Sequence, residues 1–144
     1  MIEFREIDRD NFFDVIELRV SEEQKSFVAP NVFSLAQAKV FPECICLAIY
    51  HEDILVGFTM YCMDFEDKEY WVYRLMIDAK YQGKGYGRAA MEKLIHHIKQ
   101  DKEHQVIYIS FEPENSGARH LYEKLGFEPD GRVIDGEIVY KLVY

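Results

Sequence analysis

Apolar residues follow two rhythms along this chain, and the points where the rhythm changes divide it into elements. Residues 1–7 alternate and predict a first strand. Asp10 or Asn11 can cap a helix that buries Phe12, Val15 and Ile16, and the polar run 21–25 extends or ends it. Residues 31–33 read as a loop, after which Ser34 can cap a short helix carrying Leu35 and Ala38 and closed by Pro42. Residues 45–50 and Ile54–Met63 predict two strands in a hairpin around Glu52-Asp53.

Beyond an acidic loop at residues 64–68, the aromatic and β-branched stretch Tyr70–Ile77 predicts another strand. Met91, Leu94, Ile95 and Ile98 then recur at helical spacing. Val106–Phe111 is a further strand, and the helix starting near Asn115 is closed by Gly126 from the position after its cap. Asp135-Gly136 between two apolar runs predicts a closing hairpin. The order is β-α-α-β-β-β-α-β-α-β-β, without internal repeat, low-complexity tract or linker. A single domain over residues 1–144 is expected.

The most informative stretch is Tyr81-Gln82-Gly83-Lys84-Gly85-Tyr86-Gly87-Arg88, between a strand and a helix. Such a turn exposes backbone N–H groups beside the positive end of the helix dipole, a seat for a phosphate or pyrophosphate. Three phosphate loops compete for it. A P-loop requires Ser or Thr after Gly-Lys, where this chain has Gly85. A dinucleotide fingerprint requires a third glycine where this chain has Arg88. The pattern Gln/Arg-x-x-Gly-x-Gly/Ala is met by Gln82, Gly85 and Gly87. Further on, residues 115–127 fit Asn-x-x-Ala-x-x-Leu-Tyr-x-x-x-Gly-Phe at every fixed position, through Asn115, Ala118, Leu121, Tyr122, Gly126 and Phe127.

These two motifs, in this order with a strand between them, resemble the GNAT superfamily of acyl-CoA-dependent N-acetyltransferases. The resemblance implies an α/β (α+β) fold with a central, mixed, mostly antiparallel twisted sheet flanked by helices. It also implies acetyl-CoA as co-substrate. Pantetheine would insert beside the strand leading into the loop and meet the backbone of Leu75, Met76 and Ile77. The N–H groups from Gly83 to Arg88, through Lys84, Gly85, Tyr86 and Gly87, would hold the pyrophosphate. A backbone N–H near Ile77 could polarise the thioester carbonyl. Asn115 would cap its helix and bond pantetheine, and Tyr122 would act as the acid facing the CoA sulfur.

The attacking amine must be neutral. With a pKa near 10.4, about one amine in 2,500 is free base at pH 7, a deficit of ~4.6 kcal/mol. A base or water relay is therefore wanted. Some family members place a glutamate on the strand before the loop, where this chain has Tyr73 beside Arg74. The base stays open between a relay water held by Tyr73 and a carboxylate, Glu22 or Glu23, from the helical arm. Within the superfamily the detail looks closest to bacterial spermine/spermidine (diamine) acetyltransferases, on residues 20–28 and on Arg74-Leu75-Met76-Ile77-Asp78 leading into the loop. A polyamine acceptor calls for carboxylates to pair with ammonium groups and aromatics to line the stem. Glu22, Glu23 and Tyr73 are the substrate candidates, with the acidic loop and Trp71 beside them. Acetylation of a protein amine or of another small molecule, and a non-enzymatic acyl-CoA sensor, are the rival readings.

Charge narrows the partners. A formal net charge of −9 lacks the basic stripe of a nucleic-acid binder and suits a cationic small substrate. The apolar runs are strand-sized, so no membrane partner is expected, and without a charged-then-apolar leader the location expected is cytoplasmic. Cys44, Cys46 and Cys62 lack metal-ligand spacing and read as buried free thiols, and adjacent His96 and His97 point apart on a helix. No metal is expected, and dimers are common among relatives, so a homodimer fits the resemblance.

Overall fold

The computed structural model describes residues 1–144 and keeps the expected sequence of strands and helices. The strands are β1 (Ile2–Arg5), β2 (Cys44–His51), β3 (Ile54–Met63), β4 (Tyr70–Ile77), β5 (Val106–Phe111), β6 (Glu128–Ile134) and β7 (Glu137–Val143). The helices are α1 (Phe12–Glu17), α2 (Asn31–Val40), α3 (Tyr86–Ile98) and α4 (Ser116–Lys124), with single 3-10 turns at Glu22–Gln24 and Ala79–Tyr81. The predicted order holds throughout. One seven-stranded sheet runs β1-β2-β3-β4-β5-β7-β6, antiparallel at every pair except β4–β5.

Two layers cover the sheet. Met91, Leu94, Ile95 and Ile98 of α3 and Tyr122 of α4 pack on Ile107, Ile109 and Phe111, one alternate set of β5. On the other face, Val15 and Leu18 cluster with Phe58, Met60, Trp71 and Met76. Each fully buried aliphatic side chain contributes roughly 1.5–3 kcal/mol. The α4 terminus closes as its glycine predicts: Gly126 (φ 98°) lets the Phe127 N–H reach the Tyr122 carbonyl at 3.0 Å.

Three local expectations needed adjustment. The first strand is shorter than residues 1–7. Asn11 stands at the α1 N-cap but caps nothing with its side chain, because its Oδ1 accepts the Asp8 N–H at 2.9 Å. Residues 31–33 belong to α2, not to a loop. The extended Pro30 supplies the first carbonyl, and the buried Asn31 amide donates to Val15 O at 2.9 Å, tying α2 to the end of α1. Ser34 is therefore interior, and its hydroxyl lacks a partner. A tertiary hydrogen bond outweighed the local capping preference of serine.

Cys44 stands opposite Cys62 in the β2–β3 register, and both are buried. Burial pushes the Cys46 thiol up to about 11 and the Cys62 thiol up to about 12, so both stay protonated at neutral pH.

Two irregularities divide β4 into halves. Its pairing with β3 jumps from Met60↔Arg74 to Tyr61↔Val72, leaving Tyr73 as an extra, bulged residue. Its pairing with β5 covers only Tyr70↔Ile107, Trp71↔Tyr108 and Val72↔Ile109. Beyond that point the strands part.

Candidate active site

The parting of β4 from β5 opens a cleft of about 1190 Å³ that passes from one face of the sheet to the other. Leu75, Met76 and Ile77 line it from the freed half of β4, followed by Gln82, Gly83, Gly85, Tyr86 and Gly87 from the loop. None of the N–H groups from Gln82 to Arg88 donates to a backbone acceptor, and the first α3 bond is Ala89 N–H to Gly85 O at 3.1 Å. Gly83 (φ 80°) and Gly85 (φ 83°) bend these amides to one side, and a Cβ on either would meet nothing within 4 Å. Free donors, the dipole of α3 and open space above them fit a pyrophosphate. Lys84 and Arg88 do not line the cleft, and Arg88 is bound to Glu92 at 2.9 Å.

The loop is anchored by side chains. Gln82 Nε2 donates to Ile77 O at 2.9 Å and to Gln24 Oε1 at 2.8 Å, joining the loop to the end of β4 and to the arm before α2. The Asp78 carboxylate accepts the N–H groups of Arg19 and Lys80, each at 3.0 Å. Gly57 of β3 lies so close to β4 that a Cβ would stand 2.4 Å from Met76 O. The freed half of β4 is thus held from behind.

Tyr122 is buried against Phe111 and Phe127, with ring centroids at 5.6 and 5.8 Å, and lines the cleft. Burial alone pushes its phenol well above the usual tyrosine value. It therefore keeps its proton, and its hydroxyl is a donor. Asn115 caps α4 by accepting the Ala118 N–H at 3.1 Å, which leaves its amide free to donate into the cleft it lines.

On the opposite face the cleft meets charged side chains. Tyr73 donates to Asp64 Oδ2 at 2.6 Å. Burial, then that bond, raises the Tyr73 phenol. At Asp64 burial works the other way, but the bonds from Tyr73 and from the N–H groups of Glu66 and Asp67 prevail and lower its pKa. Ser110, the first β5 residue past the last β4 pair, donates to Glu137 Oε1 at 2.7 Å. Arg74 donates to Tyr73 O at 3.1 Å and to Gln37 Oε1 at 3.0 Å, while its buried Nε has no partner. Burial lowers its pKa, and Glu137 is the charge that most opposes that shift. Glu22 and Glu23 do not line the cleft: both are exposed, Glu22 pairs with Lys25 at 3.1 Å, and the arm contributes Gln24 and the residues after it. Sequence reasoning missed Ser110, Glu137, Arg132 and Gly57, which carry no motif and meet the site only through strand pairing.

No group of three or more His, Cys, Asp or Glu side chains converges as metal ligands, and no helix is long and apolar enough to cross a membrane.

A glycine loop at a helix start, a strand freed from its neighbour and a buried tyrosine across the gap are the parts of an acetyl-CoA-dependent N-acetyltransferase. Residues 3–127 match the model of the Acetyltransferase (GNAT) family, and the chain belongs to that family. It is 32% identical over 145 residues to the spermine/spermidine N(1)-acetyltransferase of Bacillus subtilis (strain 168), covering 96% of this chain and 95% of that protein. The fold is shared with the aminoglycoside acetyltransferase AAC(6')-Ib in complex with coenzyme A, at a TM-score of 0.81, 16% identity and coverage of 99% and 95%. It is shared also with the spermidine N-acetyltransferase from Vibrio cholerae in complex with CoA and spermine, at a TM-score of 0.77, 17% identity and coverage of 99% and 95%.

Proposed function

We propose that this enzyme acetylates a primary amine of a polyamine, spermine or spermidine, by direct attack of the amine on the acetyl-CoA thioester. The observation that carries the reading is the acceptor side of the cleft, where Asp64, Glu66, Asp67 and Glu137 gather beside Trp71 and Tyr73. Carboxylates pair with ammonium groups and aromatic rings line an aliphatic stem. The similarity to the Bacillus subtilis spermine/spermidine enzyme supports it.

Acetyl-CoA supplies the activated acetyl group. The residues supply proton control at both ends of the reaction. The acceptor enters as an ammonium ion and must lose a proton, at a cost of ~4.6 kcal/mol at pH 7. Tyr73 cannot take it, since its phenol is a donor to Asp64. Glu137, held by Ser110 where the strands part, takes this proton directly or through a water. The neutral amine then forms the amide bond as the carbon–sulfur bond breaks. Its second proton ends on the CoA sulfur, and the proton on Glu137 passes to solvent. At the sulfur, Tyr122 acts as acid by donating a hydrogen bond that strengthens as the thiolate develops. Full transfer from an ordinary phenol to a thiolate is uphill by ~2 kcal/mol, and burial makes it more so.

The test is a free-thiol release assay with acetyl-CoA against spermine, spermidine, a lysine peptide and an aminoglycoside. Saturable turnover on the polyamines with the others silent is expected. Turnover on the peptide or the aminoglycoside alone would overturn the polyamine reading and leave the acetyltransferase standing.

A further inference from the structure

β6 leaves its ladder midway. It pairs with β7 at Glu128 and Pro129 and again at Val133 and Ile134, with a register shift between, where Gly131 takes a positive φ of 94°. The excursion projects Arg132 across the sheet. Its guanidinium carbon lies 5.0 Å from the ring centroid of Tyr108 and 5.6 Å from that of Trp71. The two rings are themselves stacked at 5.0 Å. Asp130 pairs with the same guanidinium, and Trp71 Nε1 donates to Asp67 Oδ2 at 2.8 Å. Arg132, Trp71 and Asp67 all line the acceptor side of the cleft.

Two aromatic faces with carboxylates at their rim make a cation site, and here a cation of the chain already occupies it. We propose that Arg132 is a specificity-determining residue: a resident guanidinium that holds the Trp71–Tyr108 platform against the distal ammonium of a long polyamine. The proposal rests on the polyamine reading and adds which part of the acceptor is selected against. An acceptor too short to reach the platform is indifferent to Arg132. One that reaches it must displace the guanidinium or meet like charge.

Trp71 is the only tryptophan of the chain, so its fluorescence reports the platform directly. The experiment titrates the CoA-loaded protein with butylamine, spermidine and spermine and compares wild type with Arg132→Gln and Arg132→Lys. In Arg132→Gln, spermine affinity relative to butylamine should rise about 3- to 10-fold, the range of a cation–aromatic contact regained. Arg132→Lys, which keeps the charge, should stay near the wild-type ratio. An unchanged or lower ratio in Arg132→Gln, or a lysine variant that behaves like the glutamine one, overturns the proposal. Because binding is read without turnover, the titration decides Arg132 even if the thiol-release assay sinks the polyamine reading. Polyamine turnover with an unmoved ratio sinks the Arg132 role alone.

Discussion

On the α3 and α4 side of the split between β4 and β5, the cleft meets free backbone amides from Gln82 to Gly87 and the half of β4 not paired with β5, beside Asn115 and Tyr122. On the α1 and α2 side it is walled by side chains: Asp64, Tyr73, Arg74, Arg132 and Glu137. On the proposed reading, the first half would meet what every acyl-CoA carries, a pyrophosphate and two amides, largely through backbone groups in fixed positions. The second half must distinguish one amine from another, which needs charge and shape that only side chains supply. On that reading a common cofactor and a particular acceptor draw on different parts of the polypeptide.

Variants can break or sharpen this division. The largest effect is expected for Glu137→Gln, which should lower kcat about 100-fold near pH 7, within the range for a lost general base. The deficit should shrink as pH rises and free amine becomes abundant, while the acetyl-CoA Kd stays put. A shift in that Kd, or a uniform KM effect at all pH values, would show that the halves are not separate or that Glu137 only binds. Tyr122→Phe, at the seam, should lower kcat about 10-fold or more with little change in acetyl-CoA binding. Since burial raises this phenol, wild-type kcat should not fall off near pH 10 through its ionisation; a pH–rate profile to pH 10.5 checks both points.

Gly85→Val should act on the backbone half alone. A β-branched residue at φ 83° is strained, and its methyls enter the space above the amides. Acetyl-CoA affinity measured by calorimetry should weaken about 10-fold, with the amine KM little altered; intact affinity would remove the loop from the cofactor site. The smallest effect belongs to Tyr73→Phe. Asp64 has a lowered pKa in the fold, so its ionised form contributes stability above the unfolded value of about 3.9, which is lost as pH falls through the folded value. Deleting the Tyr73 hydroxyl removes part of that contribution. Urea melts should show a gap between variant and wild type at pH 6 that narrows below about pH 4. A gap constant with pH would mean the hydroxyl acts without Asp64.

The same division explains what was legible in the sequence. The glycine loop announces itself because positive φ at Gly83 and Gly85 needs glycine, and fixed spacing in the second motif marks Asn115 and Tyr122. Helix α4 ends where Gly126 says it must. The acceptor half has no such grammar. Ser110 and Glu137 are 27 residues apart and meet only because β5 pairs with β7. Arg132 reaches Trp71 only because β6 breaks its own ladder. Glu22 and Glu23 looked suitable by position, yet the arm turns Gln24 and its successors to the cleft instead. Asn31 shows the same lesson in the fold: its place in α2 depends on a carbonyl of α1 that no local pattern reveals.

Counting by twos along β4 from Trp71 would put Tyr73, Leu75 and Ile77 on one side of the sheet. The extra residue at Tyr73 is a phase slip. Before it the odd positions Trp71 and Tyr73 pack with the α1 cluster; after it Met76 does so, while Leu75 packs with the α3 side and Ile77 beside Ala90. A single strand is thereby two half-strands of opposite parity. The first half turns Trp71 and Tyr73 to the face proposed for the acceptor, and the second turns Leu75 and Ile77 the other way. Removing one residue here would restore regular alternation and exchange the side chains that this strand presents to the two faces of the sheet.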